Sequence, residues 1–363
     1  MHDSQTVVGA ATRKPRALSS RPGPRTDVLP GRCALRRDRP RASGPVSPTG
    51  SGHAVPVDAF QVRLLGLALA ALVVGGCALT PARQDAAREA GFEAIRLPAP
   101  PCDWYALVRQ ARHPSCHATI VIEGDGRAWA RRTRLSRDPT PRHPVGLDIA
   151  LSLPHAAVAY LARPGQYPVE QNLCDARYWA GARFAPEVVA GALTAVNALA
   201  IRLTDVGCAP SQRRVTLVGY SGGGTLAALA AGRAREVTGL ITIAANLDHE
   251  RWTEHHRVSP LDASMTLWPV SPRLMSLPQV HLLGARDRIV PPSMPDRVRT
   301  VLERAGHPQA VVPEAAHEGP WTPQWRVHAC RAARGAGRVA PEGLACDVAD
   351  EPRRASTPGM AGP

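Results

Sequence analysis

The sequence predicts an α/β domain whose mostly parallel central sheet carries helices on both faces. Short β-branched, apolar runs alternate with helix-forming stretches through the middle of the chain, the pattern of a sheet covered on both sides. One run, Val215-Thr-Leu-Val218, leads through Gly219-Tyr-Ser-Gly-Gly223 directly into helix-forming residues 225–231, a strand–turn–helix unit. A length of 363 residues with 44% hydrophobic content supplies one large core or two small ones.

Each element follows from local pattern. Residues 116–123 (CHATIVIE) read as a strand, followed by the turn-forming Gly124-Asp125-Gly126. Residues 145–153 read as a helix, and 156–161 as a strand closed by Arg163-Pro164-Gly165. A long helix follows Pro186, with Val188, Val189, Leu193, Val196 and Leu199 near helical spacing. Strands are expected over 215–218, 239–244, 279–283 and 309–312, and a helix over 295–305. Residues 246–278 are irregular, with Trp252, Trp268 and four prolines.

The ends read differently. Residues 1–61 are rich in Arg, Pro, Ser and Gly without apolar periodicity and cannot bury enough to fold. Arg63, the apolar run from Leu64 to Val74, and Gly75-Gly76-Cys77 have the anatomy of a secretory signal. The run is shorter than the ~20 residues a membrane-spanning helix needs. A signal that starts so far in suggests that 1–61 is a translated leader and that Val62 is the true start. The expected organisation is therefore a disordered leader (1–61), a signal peptide (62–76), a tether (77–100), the folded domain (101–328) with 246–278 as a candidate lid, and a disordered tail (329–363).

Charge excludes one class. The formal net charge is +14, but residues 1–61 hold 10 Lys and Arg against 4 acids, while from Cys77 onward the count is 33 against 26. Lys14 is the only lysine, and with three Phe the chain offers no stacking platform, so no nucleic-acid partner is expected. Of the eight cysteines, Cys102 and Cys116 close a short loop and are expected to pair, as an exported chain allows. The pairing of Cys174, Cys208, Cys330 and Cys346 is not readable. No Cys or His spacing matches a zinc site, so no metal is expected, and His249, His255 and His256 lack a converging acid.

A serine nucleophile needs a base to take its proton and an acid to orient that base. Gly219-Tyr-Ser221-Gly-Gly223 places Ser221 in a tight turn where side chains at 219 and 223 would collide with neighbouring backbone. Downstream, Asp287 in Gly284-Ala-Arg-Asp287 and His317 in Val312-Pro-Glu-Ala-Ala-His317 each follow a strand, where α/β sites form. Asp248, Asp262 and His328 are reserves. Asp287 as a helix cap and His317 as a surface histidine are the competing structural readings.

On these motifs the chain over about 119–325 resembles the α/β-hydrolase superfamily. The words Ile122-Glu-Gly-Asp-Gly126, Asp138-Pro-Thr-Pro141, Ala162-Arg-Pro164 and Asn246-Leu-Asp-His249 look like those of a branch of uncharacterised exported bacterial hydrolases. Val74-Gly-Gly-Cys77 is similar to the lipobox of bacterial lipoproteins, in which Cys77 would be lipidated. The resemblance implies a carboxylesterase-like serine hydrolase, periplasmic and membrane-anchored, that needs no cofactor. Ser221, His317 and Asp287 would be its triad, and backbone N–H groups of Gly124, Asp125 and Gly222 its oxyanion hole. Superfamily members often carry His-Gly where this chain has Glu123-Gly124. A peptidase of the same fold and a non-catalytic envelope-binding lipoprotein are the alternatives.

Overall fold

A computed structural model of the chain describes residues 79–344 and 346, apart from 132, 154–155 and 169–173. The expected leader and signal segment, Cys77, and residues 345 and 347–363 of the expected tail lie outside the described residues.

Eight strands form one sheet. In chain order they are β1 (Glu93–Ala99), β2 (Cys102–Arg109), β3 (His117–Ile122), β6 (Val158–Leu161), β7 (Arg214–Tyr220), β8 (Val237–Ile243), β9 (Gln279–Gly284) and β10 (Gln309–Val312). Their spatial order is β1-β2-β6-β3-β7-β8-β9-β10, and β4 (Trp129–Arg131) and β5 (Arg134–Leu135) form a separate small hairpin. From β6 to β10 every neighbouring pair is parallel, whereas β2 runs antiparallel to both β1 and β6. With the hairpin set aside this is the order 1-2-4-3-5-6-7-8 with the second strand reversed, the α/β-hydrolase fold.

Alternation along the strands explains the layers. In β3, Ile120 and Ile122 pack into one apolar cluster while Val121 faces the other, and in β7 Leu217 and Val218 divide the same way. The first cluster is completed by α3 (Pro186–Leu203) and α4 (Gly222–Ala231), through Val188, Val196, Leu199, Leu226 and Leu229. The second is completed by α2 (Val145–Leu151) and α8 (Trp325–Gly335), through Leu147, Ile149, Trp325 and Ala329. Pro186 at the first turn of α3 starts that helix where a missing N–H costs nothing. By length and composition α3 is apolar enough to cross a membrane, but here it is a core helix packed on the sheet.

Three expectations need correction. The segment 77–100, read as a tether or, over 81–90, a short helix, is more ordered than that over its described part. It forms α1 (Leu79–Glu89) and then β1, paired with β2 from Glu93↔Val108 to Ala99↔Cys102. The signal lay in β2, where Trp104-Tyr-Ala-Leu-Val108 is a run of good strand formers buried almost throughout. Residues 329–335 belong to α8, anchored by buried Ala329, Cys330 and Ala333, so the folded domain extends past 328.

Disulfide pairing is the third. Cys102 joins Cys174 rather than Cys116, which joins Cys208; Cys330 joins Cys346. Cys102 starts β2 and Cys116 precedes β3, and β6 lies between those strands in the sheet, so nearness in sequence is not nearness in space. Closing loops of 72, 92 and 16 residues constrains the unfolded chain by about 3–5 kcal/mol each.

Candidate active site

Ser221 sits between β7 and α4 with φ 51° and ψ −126°. A non-glycine residue there is strained by about 1–3 kcal/mol and persists only where its surroundings leave no alternative. The neighbours show why glycine flanks it. A Cβ on Gly219 would lie 2.4 Å from the Gly224 Cα, and one on Gly223 would lie 2.3 Å from the Glu123 carbonyl oxygen. The strand and the helix can therefore meet at this turn only without side chains.

Three side chains from three loops form one hydrogen-bonded chain. The Ser221 Oγ lies 3.0 Å from His317 Nε2, and His317 Nδ1 lies 2.9 Å from Asp287 Oδ2. Asp287 follows β9, and His317 follows β10. The other Asp287 oxygen accepts the N–H groups of Ile289 (2.7 Å) and Val290 (2.8 Å). Burial pushes the Asp287 carboxyl up, but the hydrogen bonds from His317, Val290 and Ile289 outweigh it and hold the carboxyl below its ordinary value. An ionised Asp287 requires a proton on Nδ1, which leaves Nε2 as acceptor for the serine hydroxyl. The imidazole is further fixed by its own carbonyl, which accepts from Tyr220 Oη (3.0 Å) and Trp321 Nε1 (3.0 Å).

The reserve residues are placed elsewhere. Asp248 is a fully buried side chain bonded to Arg297 and to the N–H of Arg251. His328 lies 3.8 Å from Glu314, and Asp262 is exposed. The helix after Pro295 is α7 (Arg297–Arg304), and Asp296 caps it, not Asp287.

The expected oxyanion donors divide. Gly222 opens α4, so its N–H has no acceptor within the helix. Gly124 is different, because its N–H donates to Glu123 Oε1 at 2.8 Å and is not available to a substrate. The same Glu123 carboxyl accepts from Gly146 N–H (3.1 Å to Oε2), tying the loop after β3 to the first turn of α2. This side-chain clamp was not visible in the glycine pattern. Asp125 presses on the start of α4, with its Oδ1 only 2.2 Å from where a Cβ on Gly222 would stand.

The chain of groups opens into a cavity of about 500 Å³. Its lining includes Ser221, His317, Asn246, Trp252, Ile289 and Val290 together with the basic Arg127, Arg142, His143 and Arg183. The expected lid holds two short helices, α5 (His249–His256) and α6 (Pro272–Ser276). Trp252 in α5 reaches the cavity, while Trp268 lies under the Arg297 guanidinium, 5.3 Å from ring centre to carbon. His249 stacks on Phe184 and hydrogen-bonds the Met265 carbonyl.

No family model and no curated protein matches this chain. Solved structures of similar fold include an alpha-beta serine hydrolase homologue from Coxiella burnetii, 15% identical, spanning 62% of this chain and 88% of that one with a TM-score of 0.41. A proline iminopeptidase-related protein from Thermus thermophilus is 17% identical over 70% and 98% of the two chains, with a TM-score of 0.41. An esterase from Pyrococcus furiosus is 10% identical over 68% and 92%, with a TM-score of 0.47. Fold and site together define a protein with the α/β-hydrolase fold and a Ser–His–Asp arrangement consistent with serine hydrolase chemistry.

Glu123 gives a pH-dependent expectation. Burial, the dominant influence, raises its carboxyl to about 7 despite the N–H groups of Gly124 and Gly146. The fold favours the protonated form, so this contribution is complete below the ordinary value of 4.5 and is lost as pH rises through about 7. The full excursion is worth about 3 kcal/mol. Glu123→Gln should therefore gain stability relative to the wild type between pH 5 and pH 8, shifting the Tm difference by about 5 °C or more. Thermal unfolding at the two pH values checks this, and an unchanged difference would show that Glu123 does not titrate in this range.

Proposed function

We propose that this protein is a serine hydrolase that cleaves carboxylic esters through an acyl-enzyme. The observation that carries the reading is the unbroken hydrogen-bond chain from Asp287 through His317 to a strained Ser221 facing a cavity. As Ser221 Oγ bonds to the acyl carbon, its proton passes to His317 Nε2, and Asp287 stabilises the imidazolium. The carbonyl oxygen takes the negative charge of the tetrahedral intermediate. The N–H groups of Gly222 and Asp125 are the donors proposed for that oxyanion, Gly124 being engaged by Glu123. Collapse breaks the ester C–O bond, and His317 returns its proton to the departing alkoxide. Water, deprotonated by the same imidazole, then releases the acid and restores the hydroxyl of Ser221.

The proposal predicts turnover of p-nitrophenyl esters of short acids by the purified protein. Ser221→Ala, His317→Ala and Asp287→Asn should each lower kcat by roughly 10⁴-fold while leaving the Tm of the protein near that of the wild type. A folded wild type that is inert towards both the ester panel and aminoacyl p-nitroanilides would instead support the envelope-binding lipoprotein. Turnover of the anilides alone would support the peptidase.

The cellular setting is part of the same proposal: export, with a lipid on Cys77 holding the domain at the periplasmic face of the envelope. The signal-like run ending in Gly75-Gly76-Cys77 supports it, as do three disulfides in the folded domain. Expressed in a bacterium, the wild type should sediment with membranes and Cys77→Ser should move to the soluble fraction. Equal partitioning of the two would remove the anchor from the account.

A further inference from the structure

The lining of the cavity includes an arginine with one uncommitted donor nitrogen. Arg183 is nearly buried, with its side chain 9% exposed, yet it lines the cavity shared by Ser221 and His317. Its Nε donates to the Ala180 carbonyl (2.8 Å) and its Nη1 to Asp125 Oδ2 (2.6 Å). Among the described residues Nη2 makes no hydrogen bond. The nitrogen is not among the enclosed, unpartnered donors of the described residues, so it opens onto the cavity and can donate to an acceptor that enters there.

The charge balance around it points the same way. Asp125 is shared by two guanidiniums, since Arg163 Nη1 donates to its other oxygen at 3.0 Å. Burial acts to raise the Asp125 carboxyl, but the adjacent Arg183 and Arg163 outweigh it and keep the carboxyl low, hence ionised. One negative charge against two positive charges leaves a positive surplus behind the cavity wall. Glu123, nearby, is only partly charged at neutral pH and spends its oxygens on backbone N–H groups. Arg127, also in the lining, is exposed and its side chain makes no hydrogen bond or ion pair among the described residues; the exposed His143 lines the cavity too. Glu318 also lines the cavity, and it follows His317 directly in the chain.

Resting on the ester-hydrolase reading, we propose that the substrate carries an anionic group, a carboxylate or a phosphate, which Arg183 binds through Nη2 with Arg127 assisting. Because Asp125 Oδ1 packs against Gly222 and its Oδ2 is bonded to Arg183, the anion would lie one carboxylate away from the residue that follows the nucleophile. The neutral walls, Trp252, Ile289 and Val290, would then face the remainder of the ester.

The test compares two p-nitrophenyl esters of equal acyl length, the hemiglutarate and the valerate, which differ by a carboxylate in place of a methyl group. The wild type should prefer the hemiglutarate by at least about tenfold in kcat/KM, as a charge-assisted hydrogen bond supplies. Arg183→Gln should bring the preference close to one by losing hemiglutarate turnover. Arg127→Ala, at an exposed position that leaves the Asp125 cluster intact, should reduce it about threefold. Calorimetric titration of the Ser221→Ala variant with glutarate, and separately with inorganic phosphate, reads the anion site without turnover, and the tighter probe identifies the group. Glutarate binding weakened by Arg183→Gln or by Arg127→Ala, in a protein that turns over neither ester, would uphold this inference while overturning the hydrolase reading. Equal kcat/KM for the two esters in the wild type, or a preference that survives both substitutions, would overturn the inference.

Discussion

The turn at Ser221 is the constraint on which the rest of the site depends. Holding a serine at φ 51° is unfavourable, and the conformation survives because both flanks are fixed. Behind it, β7 lies between β3 and β8, paired along its whole length. Ahead of it, every residue of α4 is buried. The glycines make the contact possible, with Gly219 against Gly224 and Gly223 against the end of β3. The strain lifts the hydroxyl out of the sheet towards His317, and it leaves the Gly222 N–H at the open end of a helix.

What was legible in the sequence were residues whose roles are set by local backbone geometry. Ser221 could be read because a strand, a glycine-flanked turn and a helix adjoin in the chain. Asp287 and His317 could be read because each follows a strand that the hydrophobic pattern reveals. The pattern also located β3, β6 and β8 to β10, together with α2, α3 and α7, within a few residues. It was silent on anything fixed by a side chain reaching across space. Gly124 seemed a free donor until the carboxyl of its own neighbour, Glu123, closed on it. Cys102 found Cys174 because folding brings them together, not because of any spacing. The β1–β2 hairpin was missed because a proline and charged residues interrupt its first strand, although Trp104 to Val108 carried the signal. Arg183 carries no motif at all; its interest arises only from Asp125, Arg163 and the cavity meeting at one place.

The electrostatics of the site are arranged in two halves. On one side Asp287, its side chain out of water and its carboxyl held below its ordinary value, would stabilise positive charge on His317 in the proposed acylation. On the other, Arg163 and Arg183 converge on Asp125 beside the start of α4. An ionised carboxylate next to the proposed oxyanion donors would oppose the charge expected there; two guanidiniums offset it. The same pair makes the wall cationic, so the positive surplus follows from placing Asp125 at this turn. Glu123 ties the loop after β3 to the first turn of α2.

The central claim is that Ser221 is an activated nucleophile, and covalent capture tests it without any knowledge of the substrate. The folded protein would be incubated with a fluorophosphonate and its mass and tryptic peptides measured. One adduct per chain, on the peptide containing Ser221 and absent when His317 is replaced by alanine, is the result this account predicts. A folded protein that remains unmodified, or that carries the adduct on another residue, would contradict it.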